Sequence, residues 1–189
     1  MQLTKRISHV VILSLFSVSA MTFVHAESWS LSPQSKIGFN IKSMGVSVVS
    51  GQFSKFKSSM VFDAKNPQKM TSNFEMDVTS LVLSKPSLKS MIMGEDLFYV
   101  DKYKNIVFKS TEFKSLGNQK YDVKGNLTIR GITKPVVFST LLKPNSSNAK
   151  LMDVEASTVI NRSDFGMKKA FAGVGEKVDI QLSGQWKAQ

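Results

Sequence analysis

The sequence predicts an all-β protein, an extended antiparallel barrel of about eight strands with one short helix near residues 85–93. Apolar and polar residues alternate through most of residues 29–189, which is the period of half-buried strands. Turn signals rich in Gly, Asn and Pro separate these stretches. The alternation is interrupted once, at 84–103, where the apolar spacing becomes helical. Because an open sheet of so many strands leaves exposed edges, closure into a barrel is favoured.

The chain begins with the pattern of a secretory signal peptide. Lys5 and Arg6 precede an apolar run at 10–24, and Val24-His-Ala26 presents small or tolerated residues at the cleavage positions. That run has 15 residues, whereas a membrane-spanning helix needs about 20. We therefore expect cleavage of 1–26 and export of 27–189, as one domain, to the periplasm or the exterior.

The strands are predicted from series of apolar residues at every second position, each of which defines an inward face. Most series are bounded by turn signals at 44–45, 65–67, 117–118, 144–148 and 172–175. In chain order, the inward series are Ile37, Phe39 and Ile41; Met60 and Phe62; Phe74, Met76 and Val78; Tyr121, Val123, Gly125, Leu127 and Ile129; Met152, Val154, Ala156, Thr158 and Ile160; and Val178, Ile180, Leu182, Gly184 and Trp186.

The helix and the tightest turn have their own signals. Pro86 suits a first helical turn, and Leu88, Met91 and Ile92 follow at helical spacing. A short amphipathic helix that closes one end of the barrel, or packs on its side, fits this pattern. Farther along, Gly131 can take the positive φ of a short reversal, so we expect Arg130 and Gly131 to serve a turn and the surface rather than a ligand.

The inventory of reactive side chains argues against an enzyme. The chain has no Cys, and its two His residues, His9 and His25, both lie in the signal segment. This excludes from the exported chain a His-based triad, a Cys nucleophile and nearly every transition-metal site. Paired carboxylates occur at 95–96 and on one strand at 153 and 155, and we interpret them as solvated surface groups. No phosphate-binding loop or dinucleotide fingerprint is present, so we expect no catalytic residue, no metal and no cofactor.

The charge favours some partners over others. Loss of Lys5 and Arg6 lowers the formal net charge from +11 to +9. Only Arg130 and Arg162 remain as arginines, the residue type favoured for nucleic-acid contacts, so we expect no nucleic-acid partner. Transient contact with an anionic membrane surface fits a basic exported protein better. Solubility alone explains the charge as well.

Large flexible apolar side chains are abundant, with 13 Phe and 10 Met in the chain. Most of those in the exported part fall on the predicted inner faces. Such side chains form adaptable pocket walls, but they also pack ordinary cores. A barrel of about eight strands can fill itself with side chains or hold a small ligand, and composition does not choose between the two.

Five motifs, in order along residues 27–189, resemble the YceI family of exported lipid-binding proteins. They are Trp29 to Ser35 with Ile37-Gly-Phe39; Gly51-Gln-Phe53 with Phe56 and Phe62-Asp63; Asp96-Leu-Phe98 with Tyr103 and Phe108 to Thr111; Gly125 to Val136; and Arg162 to Met167 with Val178 to Ile180. The resemblance implies a lipocalin-like barrel that binds a polyisoprenoid, an isoprenoid quinone or a fatty acid derivative. It also implies a homodimer.

The ligand-binding residues that we expect on this basis lie on the inner faces and on the helix. They are Phe39, Ile41, Phe53, Met60, Phe62, Phe74, Met76, Met91, Ile92, Phe108, Leu127, Ile129, Phe138, Phe165, Ile180 and Leu182. The helix is more apolar than in many relatives, which suggests an apolar barrel mouth formed by Leu88, Met91, Ile92 and Met93. The competing hypothesis is a basic exported interaction or stress-response protein with a packed barrel and no ligand.

Overall fold

The computed structural model describes residues 27–43, 46–167 and 174–189. The predicted signal peptide at 1–26, the turn at 44–45 and the first half of the turn at 172–175 lie outside the described residues. The strands are β1 (Ser28–Leu31), β2 (Lys36–Ser43), β3 (Val46–Phe53), β4 (Phe56–Val61), β5 (Thr71–Asp77), β6 (Leu81–Leu83), β7 (Asn105–Gly117), β8 (Lys120–Ile129), β9 (Ile132–Pro144), β10 (Leu151–Asn161) and β11 (Lys177–Ala188). One α-helix, α1 (Lys89–Met93), is found among the described residues.

These strands form one closed antiparallel barrel. The hydrogen-bonded order β1-β4-β5-β7-β8-β9-β10-β11 returns to β1, because β1 also pairs with β11. Three barrel strands are interrupted, and each is formed by two consecutive segments: β1 with β2, β3 with β4, and β5 with β6. In the sheet, β2 pairs with β11 and with β3, and β3 also pairs with β6. The prediction of an antiparallel barrel of about eight strands with one short helix is confirmed.

The alternation in sequence becomes an alternation in burial. Along β8, Tyr121, Val123, Gly125, Leu127 and Ile129 are buried, and the residues that alternate with them are exposed or half-buried. Gly125 continues the inward face. An added Cβ at Gly125 would lie 2.4 Å from Cζ of Phe108, so the missing side chain makes room for the aromatic ring on β7.

Two short segments complete the barrel. A two-residue turn joins β8 to β9, where Arg130 has φ 53° and Gly131 has φ 72°. Two successive positive φ values are typical of a type I′ hairpin turn, so the predicted reversal is present. The helical segment begins with a 3-10 turn at Pro86–Leu88, continues as α1 and ends at Gly94. No helix in the described part of the chain is long and apolar enough to cross a membrane.

Candidate ligand-binding cavity

The inward faces of the barrel enclose an apolar cavity of about 150 Å³. Strands β2 to β5 and β7 to β11 contribute to its wall, and α1 contributes Ile92. Among the described residues, almost all of the wall is apolar. The lining side chains that carry polar groups are those of Ser72, Thr140, Gln181, Arg162 and Trp186. An apolar cavity of this volume accommodates a benzene-sized group. A longer chain therefore has to displace side chains of the wall.

Most of the ligand-binding residues expected from the sequence lie on this one cavity. Thirteen of the sixteen line it. Their role in binding stays a prediction, and the structure establishes only their position. They are Phe39, Ile41, Phe53, Met60, Phe74, Met76, Ile92, Phe108, Leu127, Ile129, Phe138, Ile180 and Leu182.

The other three expected residues lie off the cavity, each for a local reason. Phe62 follows the end of β4 and packs edge-on against Trp29, with ring centroids 6.3 Å apart. Met91 is 39% exposed, because it lies on the solvent side of α1. Phe165 is 1% exposed and packs into the core from the 3-10 turn that follows β10.

The apolar mouth expected from the helix is narrower than the sequence suggested. Leu88 and Met93 pack against the core without lining the cavity, so Ile92 is the helix residue that reaches it. The loop after the helix supplies Leu97 and Phe98 instead. The ring of Phe98 packs 6.3 Å from that of Phe39 and 6.5 Å from that of Phe53. No periodicity marks this loop, so sequence reasoning missed both residues as cavity wall.

Three further lining residues belong to the alternating apolar pattern of their strands. Val154, Ala156 and Trp186 belong to predicted inward series, and all three line the cavity. Trp186 is 1% exposed, and its ring centroid lies 5.6 Å from that of Phe74. Alternation alone would have identified these positions, because a side chain on an inward face of a barrel reaches either core or cavity.

Arg162 is the only charged side chain on the cavity wall in the described part of the chain. Its Nε donates to the carbonyl of Gly175 at 3.2 Å, and Nη1 donates to the carbonyl of Met167. Its Nη2 lies 3.4 Å from the carboxylate of Glu176. The guanidinium is thus held by protein groups, and the carboxylate offsets its charge.

Glu176 is tied to the same turn. Its Oε1 accepts a hydrogen bond from the backbone N–H of Ser163 at 2.9 Å. Hydrogen bonding from Ser163, aided by the positive charge of Arg162, lowers the pKa of the Glu176 carboxyl from its ordinary value against a smaller opposing effect of burial. The ion pair therefore joins the 3-10 turn after β10 to the start of β11.

Arg130 fastens the segments around one end of the barrel, which corrects the expectation that it serves the surface. Its guanidinium donates to the carbonyls of Glu95 at 3.0 Å, Asp96 at 3.4 Å and Gly166 at 2.5 Å. These acceptors lie in the loop after α1 and at the end of the 3-10 turn after β10. Arg130 also occupies the predicted turn, and it does not line the cavity.

The described residues bring together no cluster of metal-binding side chains. No group of three or more His, Cys, Asp or Glu side chains in the described ranges could hold a metal ion. The arrangement offers a concave apolar surface inside the barrel, which can remove apolar groups from water.

Comparison with protein families identifies the domain. A family model described as the YceI-like domain matches residues 29–186. A UPF0312 protein of Photorhabdus laumondii is 32% identical over 150 residues, which cover 78% of each chain. The family match thus spans the barrel from β1 to β11.

Solved structures show the same fold. Burkholderia cenocepacia BcnA superposes with a TM-score of 0.75 at 24% identity, covering 82% of this chain and 98% of BcnA. A polyisoprenoid binding domain from Saccharophagus degradans, implicated in plant cell wall breakdown, gives a TM-score of 0.66 at 13% identity, covering 85% and 98% of the two chains. At these identities the likeness establishes the fold.

Proposed function

This chain belongs to the YceI-like domain family, and we propose that it binds a long apolar amphiphile inside its barrel. The ligand class is a polyisoprenoid, an isoprenoid quinone or a fatty acid derivative. The observation that carries the proposal is the apolar cavity inside the barrel, to whose wall most of the barrel strands contribute apolar side chains. The structural neighbour described as a polyisoprenoid binding domain supports the same class of ligand.

The energetics favour a ligand longer than the cavity in its present shape. Burial of one CH₂ contributes about 0.8 kcal/mol, so a five-carbon isoprene unit contributes about 4 kcal/mol before the costs of association. That is close to the binding free energy of a millimolar complex. Tight binding therefore requires several units in the barrel. Met60 and Met76 are candidates to rearrange, because Met side chains are unbranched and adapt to irregular volumes.

The physiological setting is part of the proposal. A cleaved signal at 1–26 would place the protein in the periplasm or outside the cell as a carrier. The formal net charge that remains after loss of Lys5 and Arg6, +9, supports transient contact with an anionic membrane surface. We also propose that the barrel acts by binding rather than catalysis, without a metal or an organic cofactor, and that the carrier forms a homodimer.

Filling the cavity should weaken binding. We expect Ala156→Phe, which adds a ring to the cavity wall of β10, to weaken binding of a fluorescent apolar probe such as N-phenyl-1-naphthylamine by about tenfold or more. The matched control is Ser157→Phe, because the next residue of the same strand is exposed on the outer face. The measurement is a fluorescence titration, with octaprenol and oleate as competitors.

The result distinguishes a carrier from a packed barrel. Loss of affinity in Ala156→Phe alone, with both variants folded by circular dichroism, supports a ligand inside the barrel. If the unmodified protein binds neither the probe nor the competitors, the proposed function is wrong and the interaction protein with a packed barrel takes its place. Equal loss in both variants would also contradict binding in the cavity.

A further inference from the structure

One pair of neighbouring barrel strands loses its ladder of paired residues before either strand ends. The ladder between β9 and β10 runs from Pro144↔Met152 to Ser139↔Ser157 and stops there. Both strands continue beyond this rung, β9 back to Ile132 and β10 on to Asn161. Over these stretches β9 stays paired with β8, and β10 stays paired with β11. We call this gap, between 135–138 of β9 and 158–161 of β10, the slit.

Apolar side chains flank the slit on the outer face of the barrel. Continuing the register beyond Ser139↔Ser157 brings Val137 opposite Val159 on the outer face. These two side chains are 46% and 56% exposed, and they are among the few large apolar side chains that the barrel presents to solvent. Pro135 lies on the β9 side and has no N–H to donate, which suits a segment without a partner strand.

The slit leads toward the cavity. Phe138 on β9 and Ile160 on β10 flank it from within, and both line the cavity. The inward side chains next to the slit, Val136, Phe138 and Thr158, are half-buried. At the paired end of the same two strands, Leu142 and Met152 are only 2% and 1% exposed. Half-burial of the inward faces already begins within the ladder, at Thr140 and Ala156, and Ile160 beside the slit is 7% exposed.

Both ends of the slit are closed by protein. The Ser139↔Ser157 rung closes one end. At the other end, the 3-10 turn Arg162–Phe165 crosses toward the β8–β9 turn, where Arg130 holds the carbonyl of Gly166. An added Cβ at Gly166 would lie 3.1 Å from Cδ1 of Ile132. The unpaired stretch is thus bounded by protein contacts at both ends rather than being a frayed strand end.

We propose that the slit is a lateral portal through which the apolar chain of an amphiphile passes into and out of the barrel. This inference rests on the proposed function. A cavity of about 150 Å³ encloses only part of a long chain, and the slit offers the remainder a route through the barrel wall. The slit provides a crossing where no backbone ladder has to break and where Val137 and Val159 shield the chain from water. Addition of a strand from a second copy is the competing use of this edge.

The test links the two sides of the slit covalently. Because the chain has no Cys, the double variant Val137→Cys/Val159→Cys can be linked by a short bis-maleimide without competing thiols. The matched control is Ser139→Cys/Ser157→Cys, which links the last rung that is already paired. Stopped-flow fluorescence then measures association and dissociation of cis-parinaric acid, a fluorescent fatty acid, with each protein before and after linking.

A portal predicts a kinetic effect without an equilibrium effect. Linking 137 to 159 should slow association and dissociation alike, by about tenfold or more, and leave Kd unchanged. Linking 139 to 157 should change neither rate. Unchanged rates in the 137–159 bridge, or equal slowing in both bridges, overturn the portal and leave binding in the cavity standing. Loss of a dimer by light scattering, with unchanged rates, identifies the slit as a strand-pairing edge and also overturns the portal. If the proteins do not bind cis-parinaric acid before they are linked, the result contradicts the proposed function itself.

Discussion

At the scale of single residues, Arg130 shows how one side chain joins segments that are distant in sequence. Its planar guanidinium reaches three backbone carbonyls, which lie 34 to 36 positions away on either side along the chain. A guanidinium presents several donors in a rigid fork, whereas a lysine ammonium is a single point charge on a flexible stem. The geometry therefore requires arginine here rather than any cation.

We expect Arg130→Lys to lower the free energy of unfolding by about 1–3 kcal/mol, since at least one bond from a charged donor is lost. Urea unfolding followed by circular dichroism measures the change. The control is Lys124→Ala, which removes an exposed ion pair with Glu112 and should cost less than about 1 kcal/mol. Equal and small effects of both substitutions would contradict the role of Arg130 as a clamp.

Sequence reasoning reached the turn at Arg130 but not its contacts. The positive φ of Gly131 follows from local chemistry, because glycine lacks the Cβ that makes this region costly. The acceptors of the Arg130 guanidinium are backbone carbonyls in two loops. Because every residue has a backbone carbonyl, the sequence does not show which ones accept these hydrogen bonds. Contacts of this kind become visible only when the fold has placed the loops.

At the scale of elements, strands with strong alternation were predictable. β8, β10 and β11 show it over ten to twelve residues, and each inward series became core or cavity wall. β6 is only three residues long, too short for a period to be recognised. The slit was also beyond prediction, because alternation reports the face of each strand but not where the pairing of β9 with β10 ends.

The junction between the 3-10 turn after β10 and the start of β11 should weaken in acid. The pKa of Glu176 is lower in the folded protein than its ordinary value, chiefly through hydrogen bonding from Ser163. A group with a lowered folded pKa contributes stability above its unfolded pKa, and this contribution is lost as pH falls through the folded pKa. We therefore expect the melting temperature to fall from about pH 7 to about pH 3.

The variant Glu176→Gln isolates this contribution. Asp63 and Asp77 also have lowered pKa values, so they add to the acid sensitivity of the whole protein. The readout is consequently the difference in melting temperature between the unmodified protein and Glu176→Gln, which should shrink as the pH falls. A difference that stays constant across this range would show that the carboxylate charge contributes nothing.

At the scale of the whole molecule, the barrel combines a closed wall with an interior that side chains do not fill. Closure removes the long exposed edges that promote aggregation, apart from the slit. The abundance of Phe and Met, which in sequence was compatible with either a core or a pocket, is resolved by position: Phe39, Phe74 and Phe138 face a shared cavity. A wall of large adaptable side chains suits a cavity that has to change its volume when occupied.

The chain contains two tryptophans, and their positions allow the central claim to be tested directly. Trp186 lines the cavity, whereas Trp29 is buried against Phe62 and does not line it. The variant Trp29→Phe leaves Trp186 as the reporter, and Trp186→Phe leaves Trp29. A dibrominated fatty acid quenches an indole that its chain contacts.

The decisive measurement is a titration of both variants with dibrominated stearate, followed by tryptophan fluorescence. Binding inside the barrel predicts strong, saturable quenching of Trp186, weaker quenching of Trp29, and recovery of the fluorescence when unlabelled oleate displaces the ligand. Equal quenching of the two indoles, or no saturable quenching of Trp186 in a folded Trp29→Phe protein, would contradict an apolar chain bound in the cavity.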